Sequence, residues 1–279
     1  MAVMMSDQSC LRSIWEAYVE TFLIVEQRGP VGWITINRPE KRNAISLEMW
    51  YGLQQAIKEL ERSGIRALVI TGAGEAAFAS GADIMEFEDT KRTPEAARES
   101  FLSVDDTCRL LKELPIPVIG AIDGYAIGGG LELAVSCDFR IGTQRARLGI
   151  TSTKMGITIG WGHIRRLVEA LGPSWALDLL LSSRLVDADE ALRIGLLQRI
   201  VPDHAMLLKE AQALGELFVE RAPQALAWVK KIVYDITTGV AAPAPIDDAN
   251  AAIRCFETAD FQEAVQAFRA KRKPHFTGH

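Results

Sequence analysis

Residues 117–141 read PVIGAIDGYAIGGGLELAVSCDFRI. The run Pro117–Ile122 has the length and β-branched composition of a buried strand. It passes through Gly124 to Gly128-Gly129-Gly130, which open a helix-like stretch, and a short strand at Phe139–Ile141 follows. Glycine is a weak helix former, and Glu132 places a carboxylate among Leu131, Leu133, Ala134 and Val135, where burial of a lone charge is costly. Helix N-termini expose unpaired N–H groups with partial positive charge, and glycines there let another group come close. An N–H of Gly129 can therefore donate to an oxygen that becomes negative during a reaction. A second N–H from the loop Ser80-Gly81-Ala82-Asp83 would complete such a site. Tight helix packing through the glycines accounts for the same composition equally well.

Outward from this stretch, strand and helix alternate. Residues 22–28 and 31–37 are two β-rich runs around Gly29-Pro30, a hairpin signal. Ser46 opens an amphipathic helix through Leu47, Trp50, Leu53, Ile57 and Leu60, stopped by Gly64. Ala67–Thr71 is a short buried strand, and 72–84 is read as loop. Pro94 opens a helix over 94–113. Further helices are predicted at 161–171, 174–182 and 187–195, then a strand at 198–201. From 205 on only helices are expected, at 205–220, 223–236, 246–257 and 259–270, with a bend at 239–245. The expectation is an α/β chain with a parallel sheet and a helical tail. It divides into a 1–20 extension, a 21–204 core and a 205–279 helical region.

The 279 residues, 48% hydrophobic, allow a doubly covered core. A net charge of −5 gives no support for nucleic acid or an anionic membrane as partner. Cys10, Cys108, Cys137 and Cys255 stand far apart in no metal-binding spacing, which argues for a reducing compartment and against structural zinc. No apolar run approaches a membrane span, and the first residues lack a secretion signal, so a cytoplasmic protein is expected.

Two nucleotide motifs fail. TGAGEAA at 71–77 places GxGxxA after a strand, but loop rather than helix follows, and no tyrosine has a lysine four residues later. That leaves a nicotinamide oxidoreductase without its catalytic pair. Gly128–Gly130 lacks the Lys-Ser/Thr of a phosphate loop.

FASGADI at 78–84, together with the stretch quoted first, resembles the enoyl-CoA hydratase/isomerase (crotonase) superfamily. The likeness continues in NRPEKRNA at 37–44, MGI at 155–157, LSSRLVDADEALRIGLLQRIVP at 181–202 and KRKPHF at 271–276. It implies a spiral of ββα turns with a C-terminal helical region that packs between subunits, as a homotrimer or a dimer of trimers. It also implies a CoA thioester carbonyl held between the N–H groups of Ala82 and Gly129. CoA arrives as part of the substrate, with no metal or redox cofactor. Its segments map onto Lys41, Arg42 and Ala44, and onto Ala82, Asp83, Ile84 and Met85, with Gly129. Many relatives carry lysine at the position of Met85; Lys41 or Arg42 takes over that phosphate contact.

The catalytic carboxylates depart from the hydratase pattern. The first corresponds to Glu132. The second would stand at 152, where the residue is Ser152, and no acid occurs between Asp138 and Glu169. Glu132 is thus expected to act as sole carboxylate acid/base, favouring decarboxylation or double-bond isomerisation of a CoA thioester over hydration. Within this part of the chain the sequence is most similar to alkylmalonyl-CoA decarboxylase-like members. Ser152, Gly160, Trp161 and His163 are candidate pocket residues, with His163 or Arg165 as a cation for a second substrate carboxylate. Trp161 is read as core ahead of substrate cover, and Arg145 and Arg147 as surface or subunit-contact charges. The alternatives are an enoyl-CoA hydratase and a non-catalytic binder of CoA esters or RNA.

Overall fold

The computed structural model describes residues 21–86, 93–241, 243 and 253–279. The 1–20 extension and most of the 239–252 segment lie outside the described residues. The chain opens with the expected hairpin, β1 (Leu23–Arg28) and β2 (Val31–Ile36), paired antiparallel across Gly29. Then α1 (Leu47–Arg62) starts where Ser46 accepts a hydrogen bond from the Met49 N–H, a side-chain cap on an otherwise orphaned donor.

From there the chain winds in turns, each giving one strand to each of two sheets. β3 (Ala67–Gly72), β5 (Val118–Ile122) and β7 (Phe139–Thr143) join a six-stranded sheet of order β1-β2-β3-β5-β7-β10. β4 (Ala77–Ala79), β6 (Tyr125–Ile127) and β8 (Arg147–Gly149) form a small sheet with β9 (Val186–Asp187). Successive turns pair in parallel, so the helices that close them, α2 (Pro94–Glu113) and α3 (Gly129–Ser136), stack side by side. This is the ββα spiral; β4 falls within the stretch read from the sequence as loop, and β9 holds Asp187, read as the start of a helix.

The β3 run ALVITG is buried throughout because both faces of the large sheet are covered. Leu68 and Ile70 face the main core with Leu53, Ile57, Leu131 and Leu133. Ala67 and Val69 face Leu207, Ala211 and Leu214 of α7 (His204–Val219). The 204/205 position lies inside α7, after its first residue.

Three helices and a strand follow the spiral, α4 (Trp161–Leu171), α5 (Pro173–Ser182), α6 (Ala188–Arg193) and β10 (Arg199–Val201), and α8 (Pro223–Thr237) comes after α7. The last helix is α9 (Ala259–Arg269). The described end of the predicted 246–257 helix is a 3-10 turn, Arg254–Glu257, broken by extended Thr258, which caps α9. No described helix is long and apolar enough to cross a membrane.

Candidate active site

The site forms where β4 and β6 run out. Beyond β4, Gly81 takes φ +105, and a Cβ there would stand 2.9 Å from the Ile127 carbonyl oxygen. The next residues bridge to Ile45: its N–H donates to the Gly81 oxygen (2.8 Å) and its oxygen accepts from the Asp83 N–H (3.2 Å). In a parallel bridge of this kind the intervening Ala82 N–H points away from Ile45.

Beyond β6, Gly128 (φ +53) caps α3, whose first intrahelical bond runs from the Glu132 N–H to the Gly128 oxygen (2.9 Å). The Gly129 N–H precedes that bond and has no acceptor within the helix. Gly130 lies so close to β4 that a Cβ would fall 2.1 Å from the Ala79 oxygen. That contact seats the helix N-terminus beside the Ala82 loop; a Cβ on Gly129 would stand 3.8 Å from the Ala82 nitrogen. The two predicted donors are thus brought together at one cavity wall. Fixed donors aimed at a developing oxyanion each contribute about 2.7–4 kcal/mol to the transition state.

The cavity measures about 150 Å³. Ala82, Gly129, Glu132 and His163 line it, with Trp50, Phe101, Val104 and Ile159 as apolar wall. Glu132 stands one turn after Gly129 and is buried. Its Oε2 lies 3.0 Å from Nδ1 of buried His163, at the start of α4. Burial alone lowers the imidazole pKa, but hydrogen bonding to Cys108 and Glu132 outweighs it and raises it to about 9. The carboxylate's buried charge is thereby balanced.

The sequence search for acids missed Glu86. It ends the 3-10 turn Ile84–Glu86, lines the same cavity, and accepts from the Leu47 N–H at 3.1 Å. Burial raises its pKa, against the Leu47 hydrogen bond that lowers it. Glu132 is therefore not the sole cavity carboxylate. The signal was available, three residues beyond Asp83, but the search ran only through the stretch after Asp138.

Three candidate pocket residues lie outside this lining. Ser152 opens the 3-10 turn Ser152–Met155, after β8. At Gly160 a Cβ would fall 2.0 Å from Phe101 Cζ, so its glycine serves helix packing. Trp161 is 74% exposed, neither core nor cavity wall; its ring meets the Arg165 guanidinium at 5.1 Å. The reason is the start of α4, which turns position 161 outward and position 163 inward. His163 meets Glu132 directly, and Arg165 pairs with Glu169 at 2.7 Å rather than facing the cavity.

The CoA-side residues lie along one edge. Lys41 Nζ reaches Asp83 Oδ2 at 3.2 Å, and Arg38 Nη2 reaches the same oxygen at 3.0 Å. Burial raises the Asp83 pKa, but hydrogen bonds from Lys41, Arg38 and the Met85 N–H carry it below the ordinary value. Arg42 sits in the left-handed region (φ 51), its guanidinium 5.9 Å from the Tyr125 ring. Ala44 is buried and its oxygen accepts from Arg38 Nη1. Ile84 begins the 3-10 turn, and the Met85 side chain is 82% exposed. Away from the site, Arg145 is no free surface charge: it pairs with buried Asp123 at 2.6 Å, as does His204 at 3.0 Å.

The fold is a spiral of ββα turns, with two backbone N–H groups beside a paired carboxylate at one cavity. The chain belongs to the enoyl-CoA hydratase/isomerase family, whose model matches residues 26–279. It is 37% identical over 257 residues to the short-chain-enoyl-CoA hydratase of Clostridium acetobutylicum, covering 90% of this chain and 95% of that one. It is 33% identical over 256 residues to the crotonyl-CoA hydratase of Syntrophomonas wolfei, covering 91% and 97%. The crystal structure of an enoyl-CoA hydratase/carnithine racemase from Magnetospirillum magneticum superposes with TM-score 0.87 at 33% identity, over 92% of this chain and 96% of that one.

Proposed function

We propose that this chain holds the carbonyl of an acyl-CoA thioester between the Ala82 and Gly129 N–H groups and moves a proton at the neighbouring carbons with Glu132. In double-bond isomerisation, the Glu132 carboxylate takes a proton from C2 of a 3-enoyl-CoA and the electron pair passes into the held enolate. The same carboxyl then returns the proton to C4, leaving a 2-enoyl-CoA and a regenerated base. In decarboxylation, the C–CO2 bond supplies the electron pair and a protonated Glu132 quenches the enolate. The carrying observation is one cavity with both backbone donors and Glu132 on its wall and position 152 outside it.

Hydration is the second reading. It is favoured by Glu86, a second carboxyl on the same wall, and by the hydratase names of the relatives. A mass-spectrometric screen of enoyl-, 3-hydroxyacyl- and alkylmalonyl-CoA esters separates the readings by gain of water, loss of CO2 or product with unchanged mass. Turnover confined to hydration, lost in Glu86→Gln, would replace the first reading with the second. Binding of CoA esters with none turned over would make the chain a non-catalytic binder.

The CoA phosphates would meet Lys41 and Arg42, and CoA enters only as part of the substrate. We also propose a homotrimer, alone or doubled into a hexamer, working in the cytoplasm. Support comes from α8, which exposes Val229, Ile232, Val233 and Ile236, and from the free thiols Cys108, Cys137 and Cys255. Light scattering on the purified protein reads the subunit number.

A further inference from the structure

The cavity answers the missing acid at 152 with a cation. We infer that His163, as an imidazolium, is a positioning residue that keeps Glu132 ionised and fixes the aim of its carboxylate. This rests on the isomerisation reading above, in which Glu132 starts as the carboxylate base.

The arrangement comes from how α4 meets α2 and α3. At Gly162 a Cβ would fall 2.5 Å from Asp105 Oδ1, and at Gly160 one would strike Phe101. The two glycines leave room for the Phe101 and Asp105 side chains of α2, and α4 packs on α3, which carries His163 to Glu132. The ring is then held from several sides. Phe101 meets it edge-on, centroids 5.3 Å apart. Glu132 Oε2 stands 3.0 Å from Nδ1, and Arg166 Nη2 stands 2.9 Å from that same nitrogen. One nitrogen cannot both donate to the carboxylate and accept from the guanidinium. Arg166 has another acceptor, Asp105 Oδ1 at 2.6 Å. Among the described residues, the Glu132 carboxylate has no ion-pair partner besides His163. The proton therefore belongs between Nδ1 and Oε2, and Arg166 gives its hydrogen bond to Asp105.

The charged and titratable groups facing the imidazole are Glu132 from α3, Cys108 and Asp105 from α2, and Arg166 from its own helix. Asp83 and Glu86 line the cavity with it. The acidic neighbours outnumber Arg166, in keeping with a pKa raised to about 9. A buried carboxyl without a cation is driven toward its neutral form, in which it cannot take a proton from carbon.

The test needs no known substrate at its first stage. The chain has 4 histidines, so the Cε1–H resonance of His163 is identified by its disappearance in His163→Gln. In the wild type it should titrate near pH 9, and in Glu132→Gln fall to or below the ordinary 6.5. A wild-type His163 already neutral at pH 7 would overturn the inference, whatever the reaction. The second stage follows kcat/KM against pH on whichever CoA ester the wild type turns over. In His163→Gln the acid limb should rise by about one unit or more, with KM within about threefold. His163→Lys, which restores a cation, should bring the limb part of the way back. An unmoved limb in His163→Gln with full activity would also overturn it. A wild type that turns over no CoA ester defeats the proposed function instead, and the titration then decides the ion pair alone.

Discussion

Arg38 and Asp83 form a buried ion pair, 3.0 Å apart, directly beside the residue whose N–H faces the cavity. Asp83 also accepts from the Met85 N–H and sends its own N–H to Ile45, so the pair anchors the Ala82 loop from within. Removing one partner of a buried pair costs about 3–5 kcal/mol. Asp83→Asn should lose stability of that order at neutral pH, read by denaturant unfolding. The sign follows from a folded-state pKa held below the ordinary 3.8. The contribution is full above that value and is lost as pH falls through the folded one. Wild type and variant should therefore converge in Tm in acid.

Gly130→Ala tests the seat of α3. The new methyl would lie 2.1 Å from the Ala79 oxygen, a backbone atom that cannot swing aside. Overpacking of this kind costs about 1–3 kcal/mol. It also pushes the Gly129 N–H off its aim, so kcat should fall by about 10²–10³. Thermal melting and turnover of the same preparation separate the two losses.

Glu132→Gln and Ser152→Ala should behave as opposites. The first keeps the side-chain shape and removes the proton carrier, so kcat should drop by about 10²–10⁴ with CoA-ester binding retained. Ser152 lies outside the cavity lining, and its hydroxyl should be dispensable within about twofold. A tenfold or larger loss of kcat in Ser152→Ala, on the order of 1.4 kcal/mol, would place that hydroxyl in the reaction.

Met85→Lys should strengthen binding without touching the chemistry. The side chain is 82% exposed at the edge that carries Lys41 and Arg42. A surface cation toward a phosphate contributes about 0.2–1 kcal/mol and is screened by salt. KM should fall by up to about fivefold at low ionic strength with kcat unchanged. An equal KM at low and high salt would show that this edge does not meet the phosphates.

The large sheet was legible because its strands are long enough to carry a pattern: ALVIT and PVIGAI are apolar on both faces, as double coverage by α7 and the main core requires. The small sheet was not, since Ala77–Ala79 or Val186–Asp187 is too short to show alternation. The Ala82 and Gly129 loops were found by motif spacing, which also located Glu132. What spacing could not give was pairing across distance. His163 meets Glu132 only because α4 packs on α3, and His204 meets Asp123 only once α7 lies on the sheet. Trp161 shows the same limit: a helix start two residues before His163 decides which side chain faces in.

The close contact between Gly130 and Ala79 has a consequence for how such a chain can change. The proposed thioester grip is made of main chain and held by packing, so no exchange of a side chain in the cavity removes it. The proton-handling groups are side chains on separate elements: Glu132 on α3, His163 on α4, Glu86 on a turn. Substitution at any of these changes how protons are handled and leaves the two backbone N–H groups in place. New reactions can therefore arise at this site one residue at a time, on a scaffold that need not be rebuilt.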